Sequence, residues 1–199
     1  MSQGFNALAE KRRTIYALGP ALPLAEDDVI ALIQTAIRNS PSAFNSQSSR
    51  ALILLGEQHK HFWSLTKEQL RKRVPADAFA ATDKKIDSFA AAAGSVLFFE
   101  DQQVVSELQQ QFAAYADNFP VWSEQSSGIA QYAVWLALAD KGIGANLQHY
   151  NPLVDDDVRQ TWNIPASWTL RAQMNFGSVE APAGEKGYID DKQRFIVAR

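Results

Sequence analysis

The stretch SPSAFNSQSSR, Ser40 to Arg50, holds five serines, one asparagine and one glutamine in eleven residues. Ser42, Asn45 and Gln47 place hydrogen-bond donors and acceptors at close spacing, which suits a flat heterocycle with a donor–acceptor edge. Loops rich in serine and asparagine are equally common as solvated connections, so composition leaves both readings open. Arg12-Arg13-Thr14 is a second set. Two forked guanidiniums and a hydroxyl match the oxygens of a phosphate dianion, although a basic turn also complements the negative end of a preceding helix. A third is GIGANLQHYNP, Gly142 to Pro152. Its glycines admit close backbone approach, and Asn146, Gln148, His149 and Tyr150 add polar and aromatic edges; a helix cap followed by an ordinary loop is the plainer alternative. Lys186 stands in a charged tail with Lys192 and Arg194 behind it; such tails are commonly just solvated. Gln131 lies among apolar residues, and a buried amide needs a partner, a ligand being one option. His59 and His61 flank Lys60 and read as a solvated face. No second histidine or carboxylate near His149 has metal-ligand spacing, so no metal site is expected.

These residues need elements to position them. The opening reads as a helix to about Tyr16, with Phe5, Leu8 and Ala9 at helical spacing. A second helix starts near Glu26, its first turn acidic, and stops before Pro41. Ala51 to Leu55 reads as a buried strand ending at Gly56. Helical patterns follow at about 58–73 and 76–93, a strand at 95–100, and a helix at 103–117. Gly128 to Lys141 is apolar almost all round, which places a helix at the centre of a protein or between subunits. A short helix near 154–162 precedes a strand at 168–176 whose alternation gives it one apolar face. The order implies an α+β sandwich around a modest sheet, occupying residues 1–199 as a single domain. Gly142-Ile143-Gly144 follows a helix rather than a strand, so no dinucleotide fingerprint is present.

Composition narrows the function classes. The chain has 199 residues, 46% of them hydrophobic, and a net charge of −3. That is globular, with no general basic field for nucleic acid or anionic lipid. It contains no cysteine, which excludes disulfides, thiol catalysis and thiolate metal sites and agrees with a reducing compartment. The start lacks the apolar run of a secretory signal, and nothing has the length of a membrane span. A cytoplasmic protein is expected.

Taken together and in this order, the motifs resemble the FMN-dependent nitroreductase family. KRRTIYAL resembles its N-terminal phosphate-binding signature, and SPSAFNSQSSR its first flavin loop. SSGIAQYAVWLALADKGIGANLQHYNP and FGSVEAPAGEKGYID are similar to the short, fatty-acid-repression-mutant-type branch. The sequence departs from the family by carrying Gly184-Glu185 before Lys186, where the branch often has proline and arginine. It also has Ser48-Ser49 after Gln47, where the family more usually has Pro-Trp. The resemblance implies a three-layer sandwich with a mostly antiparallel sheet, in an intertwined homodimer with FMN at the subunit interface. It further implies hydride transfer from NADH or NADPH, through flavin, to a small electron acceptor. On that footing Arg12, Arg13, Thr14, Lys186 and Arg194 hold the phosphate. Ser42, Asn45, Gln47 and Gln131 face the ring and ribityl chain, and the Gln148–His149–Tyr150 turn supplies a backbone donor. No side chain is then required as nucleophile. A non-catalytic flavin-binding or regulatory protein on the same scaffold is the competing expectation.

Overall fold

The computed structural model describes residues 4–199; of the expected opening helix, residues 1–3 lie outside the described part. The chain runs α1 (Phe5–Lys11), β1 (Leu18–Gly19), α2 (Glu26–Arg38), β2 (Ser49–Leu55), α3 (Gly56–Arg71), α4 (Phe79–Ala90) and β3 (Gly94–Asp101). It continues α5 (Gln102–Gln111), α6 (Phe119–Asp140), β4 (Gly144–Gln148), α7 (Asp155–Trp162), β5 (Trp168–Val179) and α8 (Asp191–Arg194). Short 3-10 turns lie at Ala43–Asn45 and Ala113–Asn118.

β3 pairs with β2 and β5, and β5 also pairs with β4 and, at its end, with β1; all these pairings are antiparallel. Because successive side chains in a strand point to opposite faces, β3 feeds two cores. Val96 and Phe98 pack with Val29 and Ile33 of α2 and Val134 and Leu138 of α6. Leu97 and Phe99 pack with Phe62 and Trp63 of α3, Ile86 and Phe89 of α4 and Val158 of α7. Helices cover both faces of the sheet, which makes the expected three-layer α+β sandwich. Each such side chain withdrawn fully from water contributes roughly 1.5–3 kcal/mol.

The apolar alternation of β5 does not mark a single face. The register with β3 slips between Phe98 and Phe99, leaving Arg171 as the extra residue. A bulge of this kind shifts side-chain direction by one position. Trp168 and Leu170 therefore join the α3–α4 core, whereas Ala172, Met174 and Phe176 join the α2–α6 core. Gln173 and Asn175, expected on an opposite polar face, are fully buried.

Other boundaries move for local reasons. α1 stops at Lys11 and Arg12 is already extended, with φ −63 and ψ 116, because the next residues pair with β4. α6 starts nine residues before Gly128, at Phe119, with Pro120 in its first turn, where a missing N–H costs nothing. The helix expected at 103–117 ends at Gln111 and tightens into the 3-10 turn. Part of the expected loop at 142–152 is the strand β4.

Candidate functional site

The two ends of the chain are brought together by backbone pairing. Thr14 bridges to Ala145 of β4, the Ile15 N–H donates to the Ala145 carbonyl at 2.9 Å, and Asn146 Nδ2 donates to the Ile15 carbonyl at 2.9 Å. β1 pairs Leu18 with Val179 of β5, and the Glu180 N–H donates to the Ala17 carbonyl at 2.9 Å. The close crossing needs Gly177, where a Cβ would collide with the Gly19 carbonyl oxygen. The tail after β5 is thereby led back over Arg12–Thr14.

A cleft of about 490 Å³ results, lined by Arg12, Arg13, Thr14, Tyr16, Gly184 and Lys186 among others. Arg13 Nη2 donates to the Gly184 carbonyl at 2.7 Å and ties the tail in place. The Arg12 guanidinium lies 4.4 Å from the centre of the Trp135 ring, and its buried Nε has no hydrogen-bond partner. Lys186 is exposed, with Nζ 4.9 Å from the Tyr188 ring centre. Three cations face one carboxylate, Glu185, around this cleft. Arg194 is not among its lining residues; it sits on the exposed α8 beside Phe195.

The serine-rich stretch builds a second cleft, of about 200 Å³, between α2, α6 and β2. Ser42, Gln47, Arg38 and Arg50 line it, as do Ser126 and Ala130 of α6. The backbone is bent into the left-handed region at Phe44, Asn45 and Gln47, with φ of 55, 50 and 48, a conformation that costs non-glycine residues energy. Hydrogen bonds hold it. Ser42 Oγ accepts the Gln47 N–H at 2.9 Å, and Ser48 and Ser49 both donate to the buried Glu100 carboxylate, at 2.6 and 2.5 Å. Asn45 is exposed at the rim and does not line the cleft. Gln131 donates to Ser127 Oγ at 3.0 Å, so its partner is one turn back on its own helix. Beside the loop, the exposed Phe44 ring packs on Phe112, Phe119 and Trp122, with centroids 4.8, 5.3 and 5.8 Å away.

A buried polar chain underlies β4 and β5. Gln148 Nε2 and Asn175 Nδ2 both donate to Asn146 Oδ1 at 3.0 Å, and Ser95 Oγ lies 2.8 Å from Asn175 Oδ1. His59, expected on a solvated face, is fully buried at the end of this chain. Its Nδ1 is 2.9 Å from Ser95 Oγ and its Nε2 3.1 Å from the Phe89 carbonyl. Burial holds the imidazole pKa down at about 4, Lys60 adding slightly, against the pull of the Phe89 and Ala90 backbone acceptors. The ring is therefore neutral, its Nε2–H donating to Phe89. His61, as expected, is exposed and packs edge-on against Trp162. Gln148 is buried and His149 exposed, while the Tyr150 N–H is already given to Gln173 Oε1 at 2.7 Å.

Residues 9–178 match the model of the Nitroreductase family, a span that holds the whole sheet up to Ser178, the serine-rich cleft and the Arg12–Ala17 side of the other cleft but not its 181–186 side. The chain belongs to the nitroreductase family. A relative in the same family, the nitroreductase HBN1 of Saccharomyces cerevisiae, is 42% identical over 180 residues, 89% of each chain. The nitroreductase CinD from Lactococcus lactis, solved in complex with nicotinic acid, is 55% identical with a TM-score of 0.92, covering 98% of this chain and 100% of its own. CinD has also been solved with 4-nitrophenol. A nitroreductase with bound FMN from Desulfitobacterium hafniense shares the fold, with a TM-score of 0.71 over 100% of both chains at 13% identity. Among the described residues of this nitroreductase, no helix is long and apolar enough to cross a membrane. No group of three or more His, Asp or Glu among them could hold a metal ion.

Of the five residues expected at the phosphate, Arg12, Arg13, Thr14 and Lys186 line one cleft and Arg194 does not. Of the residues expected at the ring and ribityl chain, Ser42 and Gln47 line the other cleft, which shares no lining residue with the first, and Asn45 and Gln131 line neither. Trp135, Glu100, Ser95 and Asn175 were not among the expected site residues, while Asn146, a candidate edge of the 142–152 stretch, has its Oδ1 taken by Gln148 and Asn175. The only sequence signal for Glu100 was a carboxylate closing the otherwise apolar run SVLFFE.

Proposed function

We propose that this chain is an FMN-dependent oxidoreductase that passes a hydride from NADH or NADPH, through flavin, to nitroaromatic, quinone or similar small electrophilic acceptors. The observation that carries this reading is the convergence of Arg12, Arg13, Thr14 and Lys186 on one cleft. The donor set fits a phosphate monoester: guanidiniums match its oxygens in a fork, the excess of cations suits a dianion, and the buried Arg12 Nε awaits an acceptor. When bound, FMN supplies the hydride chemistry at its N5.

The chain's own residues do the rest. Arg12 and Lys186 would neutralise the phosphate, Thr14 would donate to it, and Arg13 would add charge while its Nη2 ties the tail. Ser42, Gln47 and Gln131 offer polar groups to the ring and ribityl chain, and Asn45 does so from the rim. Gln148 and His149 lie at the sheet end from which a backbone N–H would be offered to the ring. The Tyr150 amide, spent on Gln173, serves only to hold that turn. The Phe44 cluster would give the pocket an aromatic wall; nicotinamide and acceptor would occupy the same flavin face in turn, which would make the kinetics ping-pong.

Two separate half-sites on one chain are what a shared site between two subunits requires. In this reading the phosphate cleft of one protomer meets the serine-rich loop of its partner in a homodimer. Exposed apolar residues support it: Phe5, Ile129 and Tyr132, and in the tail Tyr188, Ile189, Phe195, Ile196 and Val197. Such a set is more than isolated exposed side chains explain. The absence of cysteine agrees with placing the protein in the cytoplasm. The test is direct: purify the protein, add FMN, and reduce it with NADH or NADPH under argon. Bound yellow colour that bleaches and returns with 4-nitrophenol or a quinone is expected. Colour without bleaching would favour a non-catalytic flavin-binding role, and no uptake of FMN would end the flavin reading.

A further inference from the structure

We infer that Trp135 is a positioning residue that aims Arg12 at a phosphate and so makes the site select a phosphorylated ligand over its neutral analogue. The inference rests on the flavin reading above and concerns how this chain secures the phosphate end. The Arg12 guanidinium carbon lies 4.4 Å from the centre of the Trp135 ring and 5.9 Å from that of Tyr132. Among the described residues Arg12 has neither an ion-pair partner within 4.0 Å nor a side-chain hydrogen bond, and its Nε is a buried donor with nothing to bind.

The geometry matters because a guanidinium has two kinds of surface. Its flat face is attracted to an aromatic ring, and its rim carries five N–H donors. A carboxylate partner would orient Arg12 but consume rim donors and cancel its charge. An indole under the flat face restricts the side chain and leaves both charge and rim unspent. Arg13 makes the contrast: it also lines the cleft, but its Nη2 is committed to the Gly184 carbonyl at 2.7 Å. Arg13 acts as a strut for the tail, and Arg12 is the arginine kept free for an anion. Trp135 is anchored for this task by α6, whose adjacent Val134 and nearby Leu138 are fully buried against the sheet.

The test measures dissociation constants for FMN and for riboflavin, which lacks the phosphate, in wild type, Trp135→Phe and Trp135→Leu. Thermal melts of the free proteins are recorded alongside. Loss of the platform should weaken FMN by about tenfold in the leucine variant, the order of a partly desolvated cation–π contact, and less in the phenylalanine variant. Riboflavin affinity should stay within about twofold, since its binding does not use the rim of Arg12. In an Arg12→Ala background the same substitutions should no longer change FMN binding. Equal weakening of both flavins, or undiminished FMN affinity, would overturn the inference while leaving the flavin reading intact. If the leucine variant does not fold, the FMN-to-riboflavin ratio of Trp135→Phe decides. Wild-type protein that binds neither flavin would overturn both.

Discussion

The Glu100 carboxylate accepts the Ser123 hydroxyl at 2.7 Å, joining β3 to α6 in the interior. Ser48 and Ser49 donate to the same carboxylate, so one buried acid fastens the strained serine-rich loop to two layers of the sandwich. Replacing it by leucine would strand three hydroxyls. Glu100→Leu should cost about 2–4 kcal/mol in urea unfolding, the scale of several unsatisfied buried groups. A loss under about 1 kcal/mol would show that the serines find other partners.

His59 makes stability depend on pH. Its folded pKa of about 4 lies below the ordinary value of 6.5. The unfolded chain therefore takes up this proton first as pH falls. The stabilisation is fully present above pH 6.5 and is lost progressively down to about pH 4, beyond which it changes no further. A gap of this size corresponds to about 3 kcal/mol. His59→Gln should flatten the fall in melting temperature across that window relative to wild type; an unchanged slope would show that other groups cause it.

Arg12→Ala should weaken FMN retention by about 1.5–3 kcal/mol, the scale of a charge-assisted hydrogen bond. Arg194→Ala should leave it unchanged, because α8 lies outside the cleft. Fluorescence titration distinguishes the two, and a large effect at Arg194 would mean that the tail closes differently around the ligand.

Gly177→Ala should be severely destabilising, since its Cβ would meet backbone at Gly19 and Ala93 rather than a yielding side chain. A cost above about 2 kcal/mol in chemical unfolding is expected for such a clash. A tolerated alanine would mean that β1 can part from β5.

The protein should sediment as a dimer at nanomolar concentration, and Ile129→Asp, at an exposed apolar position of α6, should favour the monomer. If the proposed shared site holds, FMN binding should fall with dimer content, because the two clefts have no lining residue in common. A wild-type monomer that still binds FMN tightly would reject the shared site.

The amino-acid sequence by itself determined the elements and the chemistry on offer. The continuous apolar runs of β2 and β3, the alternation in β5, the stripe of α2 and the all-round apolar stretch of α6 follow from local patterns that need no partner to be read. The Arg12-Arg13 pair with Thr14 and the polar loop at 40–50 were legible because their residue types are unusual between apolar segments. Tertiary structure alone decided which face each residue took and which donors stayed free. The slip at Arg171 sends Leu170 and Ala172 to opposite cores, and only pairing with β3 reveals it. His59 looked solvated beside Lys60 because both lie in a charged segment, yet the helix turns it onto Ser95 and Phe89. Polar residues in a strand read the same whether they face water or a buried network, so Gln173 and Asn175 gave no warning. Arg12 and Arg13 are identical in type and adjacent in sequence. For Arg12 a contact with Trp135, far along the chain, and for Arg13 a bond to Gly184 separate a guanidinium with no hydrogen-bond partner among the described residues from one that ties down the tail. Those partners are distant in sequence, and only long-range packing brings them within reach.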